Sequence, residues 1–156
     1  GNHEEMFIDA YEEGWESVSG QMLFANGGEW VKSCTPQMLK AIYEAFKDLP
    51  LAIELTTNKE TIGIVHAQVP YNNWDEFSKL TRAELEFNAG STAQWARTNY
   101  DYRLEIQVKG VDRLFVGHSP TFSGEIEQLG NTYYCDLGSF FRNKICMLEI
   151  ENEREV

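Results

Sequence analysis

The feature that most restricts the fold is a repeated local grammar, a short apolar run that ends on a histidine. It occurs as Ile62-Gly63-Ile64-Val65-His66 and again as Leu114-Phe115-Val116-Gly117-His118. Each run reads as a buried strand, so each histidine stands where a strand emerges at its C-terminal end. Open α/β sheets carry their functional groups at that position. The third of the three histidines, His3, follows Asn2 at the start of a helical pattern. Neutral imidazoles and an amide oxygen suit manganese, iron or zinc. Any one histidine taken alone is more often a hydrogen-bonded structural residue. Two at strand ends with the same local grammar, plus Asn-His at a helix start, shift the weight towards a site.

The rest of the chain supplies helices first and strands mostly later, which predicts an α/β class with a mixed sheet. Met6, Phe7, Ala10 and Tyr11 fall at helical spacing behind acidic residues that favour a helix N-terminus, and Gly14 ends that helix. A polar loop leads to residues 22–30, punctuated by Gly27 and Gly28. Thr35 as N-cap and Pro36 at the first helical position open a second helix, with Met38, Leu39, Ile42, Phe46 and Leu49 on its apolar face and Pro50 closing it. Residues 51–57 and 61–67 flank Asn58-Lys59-Glu60 as a β-hairpin. Residues 74–95 read as helical pieces broken at Asn88-Ala89-Gly90-Ser91, and residues 103–108 fit a strand or a helix end equally. Residues 113–118, 132–138 and 145–150 read as strands, the last two separated by a turn at Phe140–Lys144. No repeat or linker interrupts the 156 residues, which predicts a single domain.

Composition limits the function classes. With 25 acidic against 13 basic residues the formal net charge is -12, which repels nucleic acid and anionic membrane. A local basic pocket for a phosphorylated substrate is compatible with such a surface. Cys34, Cys135 and Cys146 show no CxxC spacing and read as structural thiols in a reducing cytoplasm. No apolar stretch approaches the ~20 residues needed to span a bilayer.

Three motifs in order carry a specific resemblance. Gly1-Asn2-His3-Glu4 matches the GNHE motif, Val65-His66-Ala67 the later HA element, and Gly117-His118-Ser119-Pro120 the GH(T/S)P element of calcineurin-like metallophosphoesterases. The text around Gly28, the strand 49–55 and Trp95-Ala96-Arg97 resemble the bacteriophage lambda type of serine/threonine protein phosphatase. The resemblance covers essentially the whole chain. It implies a metallophosphoesterase-like mixed β-sheet sandwich flanked by helices. It also implies that Asn2, His66 and His118 ligate the second of two metals, that His3 is the general acid, and that Arg97 clamps phosphate oxygens. Phosphoester hydrolysis needs those parts: an activated water, neutralised equatorial oxygens and a proton for the departing oxygen. A guanidinium suits the second task because it donates as a bidentate fork. Glu4 reads as helix-start chemistry, Asp136 as a structural hydrogen-bonding group, and Asp112 has no evident role.

The family's GDxHG and GDxxDRG motifs, which precede GNHE and supply the first metal's ligands, do not occur in the sequence. The expectation is therefore the C-terminal part of a metallophosphoesterase domain, with manganese or another divalent transition metal held weakly or not at all. Its substrate would be a phosphorylated protein or a small phosphomonoester, and activity would be impaired. A strand edge left exposed by the missing part would be covered by a homodimer or a protein partner. The alternative is a phosphatase remnant, phage-encoded, that acts as a binding or inhibitory protein on a host or defence protein.

Overall fold

A computed structural model of the chain describes residues 1–81, 84–85 and 89–150. The chain divides into two compact units, residues 1–50 and a second beginning at Leu51.

The first unit is helical. α1 (Asn2–Glu13) follows the expected periodicity, burying Met6, Phe7 and Ala10, and it stops at Gly14, whose φ of 101° is left-handed. α2 (Val18–Ala25) occupies a stretch expected to be largely loop; Ser17 caps it by accepting from the Gly20 amide at 3.1 Å. Its polar residues, Ser19 and Gln21, do not gather on one face, so no amphipathic stripe betrays it. After a 3-10 turn (Gly28–Ser33), α3 (Pro36–Phe46) starts as expected, with Thr35 accepting from the Met38 amide. Aromatic rings hold the unit together. Phe7 lies within 5.7 Å of Trp30 and 5.6 Å of Phe46, and Tyr11 stacks on Tyr43 at 4.5 Å.

The second unit is built on a five-stranded mixed sheet, confirming the α/β class. Its strands are β1 (Ala52–Thr56), β2 (Thr61–Val65), β3 (Arg113–Val116), β4 (Glu127–Leu129) and β5 (Thr132–Tyr134). Their order is β1-β2-β3-β5-β4. β1 and β2 form the expected antiparallel hairpin, β2, β3 and β5 run parallel, and β4 returns antiparallel to β5. Short helices α4 (Trp74–Phe77), α5 (Gly90–Trp95) and α6 (Thr98–Asp101) lie between β2 and β3, and α7 (Ser139–Arg142) follows β5. Residues 82, 83 and 86–88, including the Asn88 of the expected break, lie outside the described residues.

Period-two alternation fixes one sheet face as the core side. Val65, Leu114, Val116, Leu129 and Tyr134 pack there with Trp74, Phe77 and Tyr100. The Trp74 ring lies directly on the Gly63 backbone, where a Cβ would come within 2.7 Å of it. Trp74 Nε1 donates to Glu54 at 2.6 Å. Residues 103–108, ambiguous in sequence, are irregular but anchored. Asn131 accepts from the Val108 amide at 2.8 Å and donates to the Val108 and Val111 carbonyls.

The expectation of a strand over residues 145–150 is corrected, since the segment is irregular and Ile145 and Met147 are exposed. β5, the strand that precedes it in the chain, already has β3 on one edge and β4 on the other. β4 itself was unread in sequence, although Gly130-Asn131 is a two-residue hairpin turn and Leu129 pairs with Thr132.

Candidate active site

Parallel pairing of β2 with β3 places Val65 opposite Val116, so the residues that follow emerge side by side. The Gly117 amide donates to the His66 carbonyl at 2.9 Å and carries the pairing one step further. As a result the His66 and His118 rings have centroids 5.0 Å apart, inclined at 57°. His118 is 9% exposed and His66 half-buried. His118 has a φ of 59°, uncommon for a residue with a Cβ, and the Ser119 amide closes a tight turn onto the Gly117 carbonyl at 2.6 Å.

The His118 Nε2 lies 3.1 Å from the Trp95 carbonyl. A carbonyl only accepts, so the neutral ring carries its proton on Nε2 and its lone pair on Nδ1. Metal-binding imidazoles are commonly oriented by such an outer hydrogen bond. With metal–nitrogen bonds of about 2.1 Å, two imidazoles on one ion have ring centres roughly 5 Å apart, which the pair fits. Among the described residues no three His, Cys, Asp or Glu side chains cluster as a complete metal cage. The pair thus supplies part of a coordination sphere, and further ligands would be amide, water or substrate oxygens.

Trp95 ends α5, and the Ala67 amide donates to the Ala93 carbonyl at 2.8 Å, fastening that helix to the strand end that carries His66. Two residues beyond Trp95, Arg97 is exposed at the start of α6. Its segment is braced by amides that side-chain chemistry in the sequence did not single out. The Asn99 amide donates to Gln68 at 3.1 Å, and Asn99 Nδ2 donates to Asn72 at 2.7 Å. Asn2 and His3 lie in the helical unit at the first turn of α1, Asn2 buried and His3 exposed.

The loop after His118 is held from several sides. The Thr121 amide donates to the Asp136 carbonyl at 2.8 Å, the Phe122 amide to the Tyr100 hydroxyl at 2.7 Å, and Arg142 to the Thr121 carbonyl at 2.8 Å. The Asp136 carboxylate accepts from the Gly138 amide at 2.8 Å, and that of Asp112 from the Thr61 amide at 2.7 Å. Partial burial works against the charge of Glu127. Hydrogen bonds from the Ser123 amide and hydroxyl, Arg103 and Tyr100 outweigh it and hold the carboxyl down at about 2. Burial, reinforced by Cys146 alongside, pushes the Cys135 thiol up to about 12, so it is no thiolate nucleophile at neutral pH.

No protein-family model matches the chain. It is 27% identical over 162 aligned positions to serine/threonine-protein phosphatase 2 of Salmonella typhimurium strain LT2, covering 97% of this chain and 66% of the relative. It is 28% identical over 143 positions to serine/threonine-protein phosphatase 2 of Escherichia coli strain K12, covering 89% of this chain and 60% of that protein. The similarity is to serine/threonine phosphatases. The chain spans less than two thirds of the length of either relative. No described helix is long and apolar enough to cross a membrane.

Proposed function

We propose that this chain is part of a metal-dependent phosphoprotein phosphatase, with His66 and His118 contributing to a divalent-metal site and Arg97 binding the phosphoryl oxygens. The observation that carries the reading is the convergence of the two imidazoles, 5.0 Å apart, at the C-terminal ends of neighbouring parallel strands. The phosphatase names of the relatives support the same class of chemistry. A divalent metal bound there would polarise the phosphoryl group and lower the pKa of the attacking water.

The chain's own contributions follow from its side chains. The Trp95 carbonyl holds the His118 tautomer, keeping the Nδ1 lone pair on the side away from its own bond. Arg97, exposed to solvent, is suited to donate in a fork to two phosphoryl oxygens. The ligand role of Asn2 and the general-acid role of His3 rest on the resemblance of Gly1-Asn2-His3-Glu4 alone.

The test is hydrolysis of an aryl phosphate with manganese. Turnover is expected to be slow, to fall to background in His118→Ala, and to drop about a hundredfold in kcat/KM in Arg97→Ala. Metal-independent turnover, or turnover that survives both substitutions, overturns the reading. Binding of phosphate with no hydrolysis at all supports the remnant alternative instead.

A further inference from the structure

The geometry points to a peptide-binding subsite beside the histidine pair: a cleft that takes uncharged residues flanking the phosphorylated side chain of a protein substrate. The inference rests on the phosphatase reading above and names where its substrate lies. The cleft has a volume of about 530 Å³ and is lined by Gln68, Pro70, Tyr71, Ala89, Ser91 and Thr92. That size lies within the range of ligand sites. It is contiguous in chain with the proposed chemistry. Gln68 stands two residues beyond His66, Ser91 and Thr92 belong to the helix that ends on Trp95, and the Ala67–Ala93 hydrogen bond holds the two walls together.

The second observation is strain. Tyr71 and Asn72 have φ values of 59° and 52°, consecutive left-handed residues in a turn without glycine. Such a conformation is costly for a bulky aromatic residue and persists only where the surroundings impose it. The surroundings here are explicit. The Asn72 amide donates to the Val69 carbonyl, the Lys109 amide donates to the Asn72 carbonyl, and the Asn72 side chain accepts from Asn99. The outcome is a tyrosine 72% exposed at the cleft wall.

The lining chemistry selects the ligand class. Among the described residues, none of the six lining side chains carries a formal charge. Tyr71 and Pro70 offer apolar surface to stack against, while Gln68, Ser91 and Thr92 offer the donors and acceptors that peptide amides need. An aromatic wall with a few polar groups recognises an uncharged peptide segment, and the phosphate charge is left to Arg97 and the metal.

Amide-resolved NMR titrations of the chain with one equivalent of zinc, a diamagnetic divalent ion, test this with three probes: inorganic phosphate, a phosphoserine peptide with uncharged flanks, and the same peptide unphosphorylated. Both peptides are expected to shift the Gln68, Ser91 and Thr92 amides, and the phosphopeptide to bind about tenfold more tightly than phosphate. Tyr71→Gly removes the ring and relieves the left-handed strain, so it melts at or above the wild-type temperature. It is expected to lose the peptide gain and keep the phosphate affinity. If phosphate binds but the peptide adds nothing, or if Tyr71→Gly keeps the gain, the subsite is refuted while the phosphatase reading stands. If no probe binds the wild type, both fall together.

Discussion

The two units of the molecule differ in where they place backbone strain. In the helical unit the left-handed positions are Gly14 and Gly27, where the conformation costs little. In the sheet unit the same region of φ is occupied by Gly110, Gly124, Gly130 and Gly138 and also by the non-glycine residues Tyr71, Asn72, Arg103, His118 and Asn143. His118 stands just beyond the end of the parallel strand β3, and Tyr71 lines the cleft with Gln68. Strain of this kind is maintained by surrounding bonds and concentrates at functional sites. The contrast separates a unit whose sequence is locally consistent from one that has given up local preference to aim particular side chains.

Six substitutions, one of them read through the pH dependence of stability, can break or sharpen that contrast. The largest effect is expected at the sheet core: Trp74→Ala removes a ring packed on Gly63 and bonded to Glu54, and costs about 3–5 kcal/mol by chemical denaturation. Gly63→Ala attacks the same contact from the other side. Its methyl would meet the indole at 2.7 Å. The resulting overpacking costs about 1–3 kcal/mol, and a neutral result would mean that the ring does not lie where it is described.

His118→Gly and His118→Ala form a sharper pair. Both remove the imidazole, but glycine accepts a φ of 59° freely. The glycine variant should therefore be the more stable of the two by about 1 kcal/mol in metal-free thermal melts. Equal stability would show that the turn relaxes and stores no strain.

The acid limb of stability reports on Glu127, which tethers the loop after His118. Its carboxyl is held at about 2 when folded, below an ordinary value near 4.5. A depressed carboxyl binds fewer protons folded than unfolded, so its contribution is complete above the unfolded value and is lost as pH falls from there towards 2. Denaturation curves between these limits should flatten in Glu127→Gln, and an unchanged pH slope would count against the network. The smallest effect is expected in the helical unit, at Met38 on α3, which is 51% exposed. Met38→Ala should change stability by no more than about 0.5 kcal/mol.

Much of the fold was legible because periodicity and punctuation agreed. α1 and α3 showed helical spacing with Gly14 and Thr35-Pro36 as stop and start, and β2 and β3 were apolar runs bounded by polar residues. The failures have physical reasons. Residues 145–150 have strand-like composition but no free edge of β5 to join, a fact of topology that composition does not carry. β4 is three residues long and mostly polar, and its one signal was the Gly130-Asn131 turn.

In the candidate site, the strand-end grammar located His66 and His118, whose rings do approach each other. What it could not reveal were the backbone and amide groups around them. The Trp95 carbonyl that orients His118 belongs to no side-chain motif, and the Gln68, Asn72 and Asn99 brace joins segments distant in sequence. The left-handed Tyr71 was hidden for a related reason, since no glycine marks the turn.

The central claim is that His66 and His118 act on one divalent ion. Manganese titration of the chain, followed by loss of the free-ion electron paramagnetic resonance signal, tests it most directly when the wild type is compared with His66→Ala. The account predicts weak binding by the wild type and affinity lower by about tenfold or more in the variant. Tight, stoichiometric binding that persists unchanged in His66→Ala would contradict it.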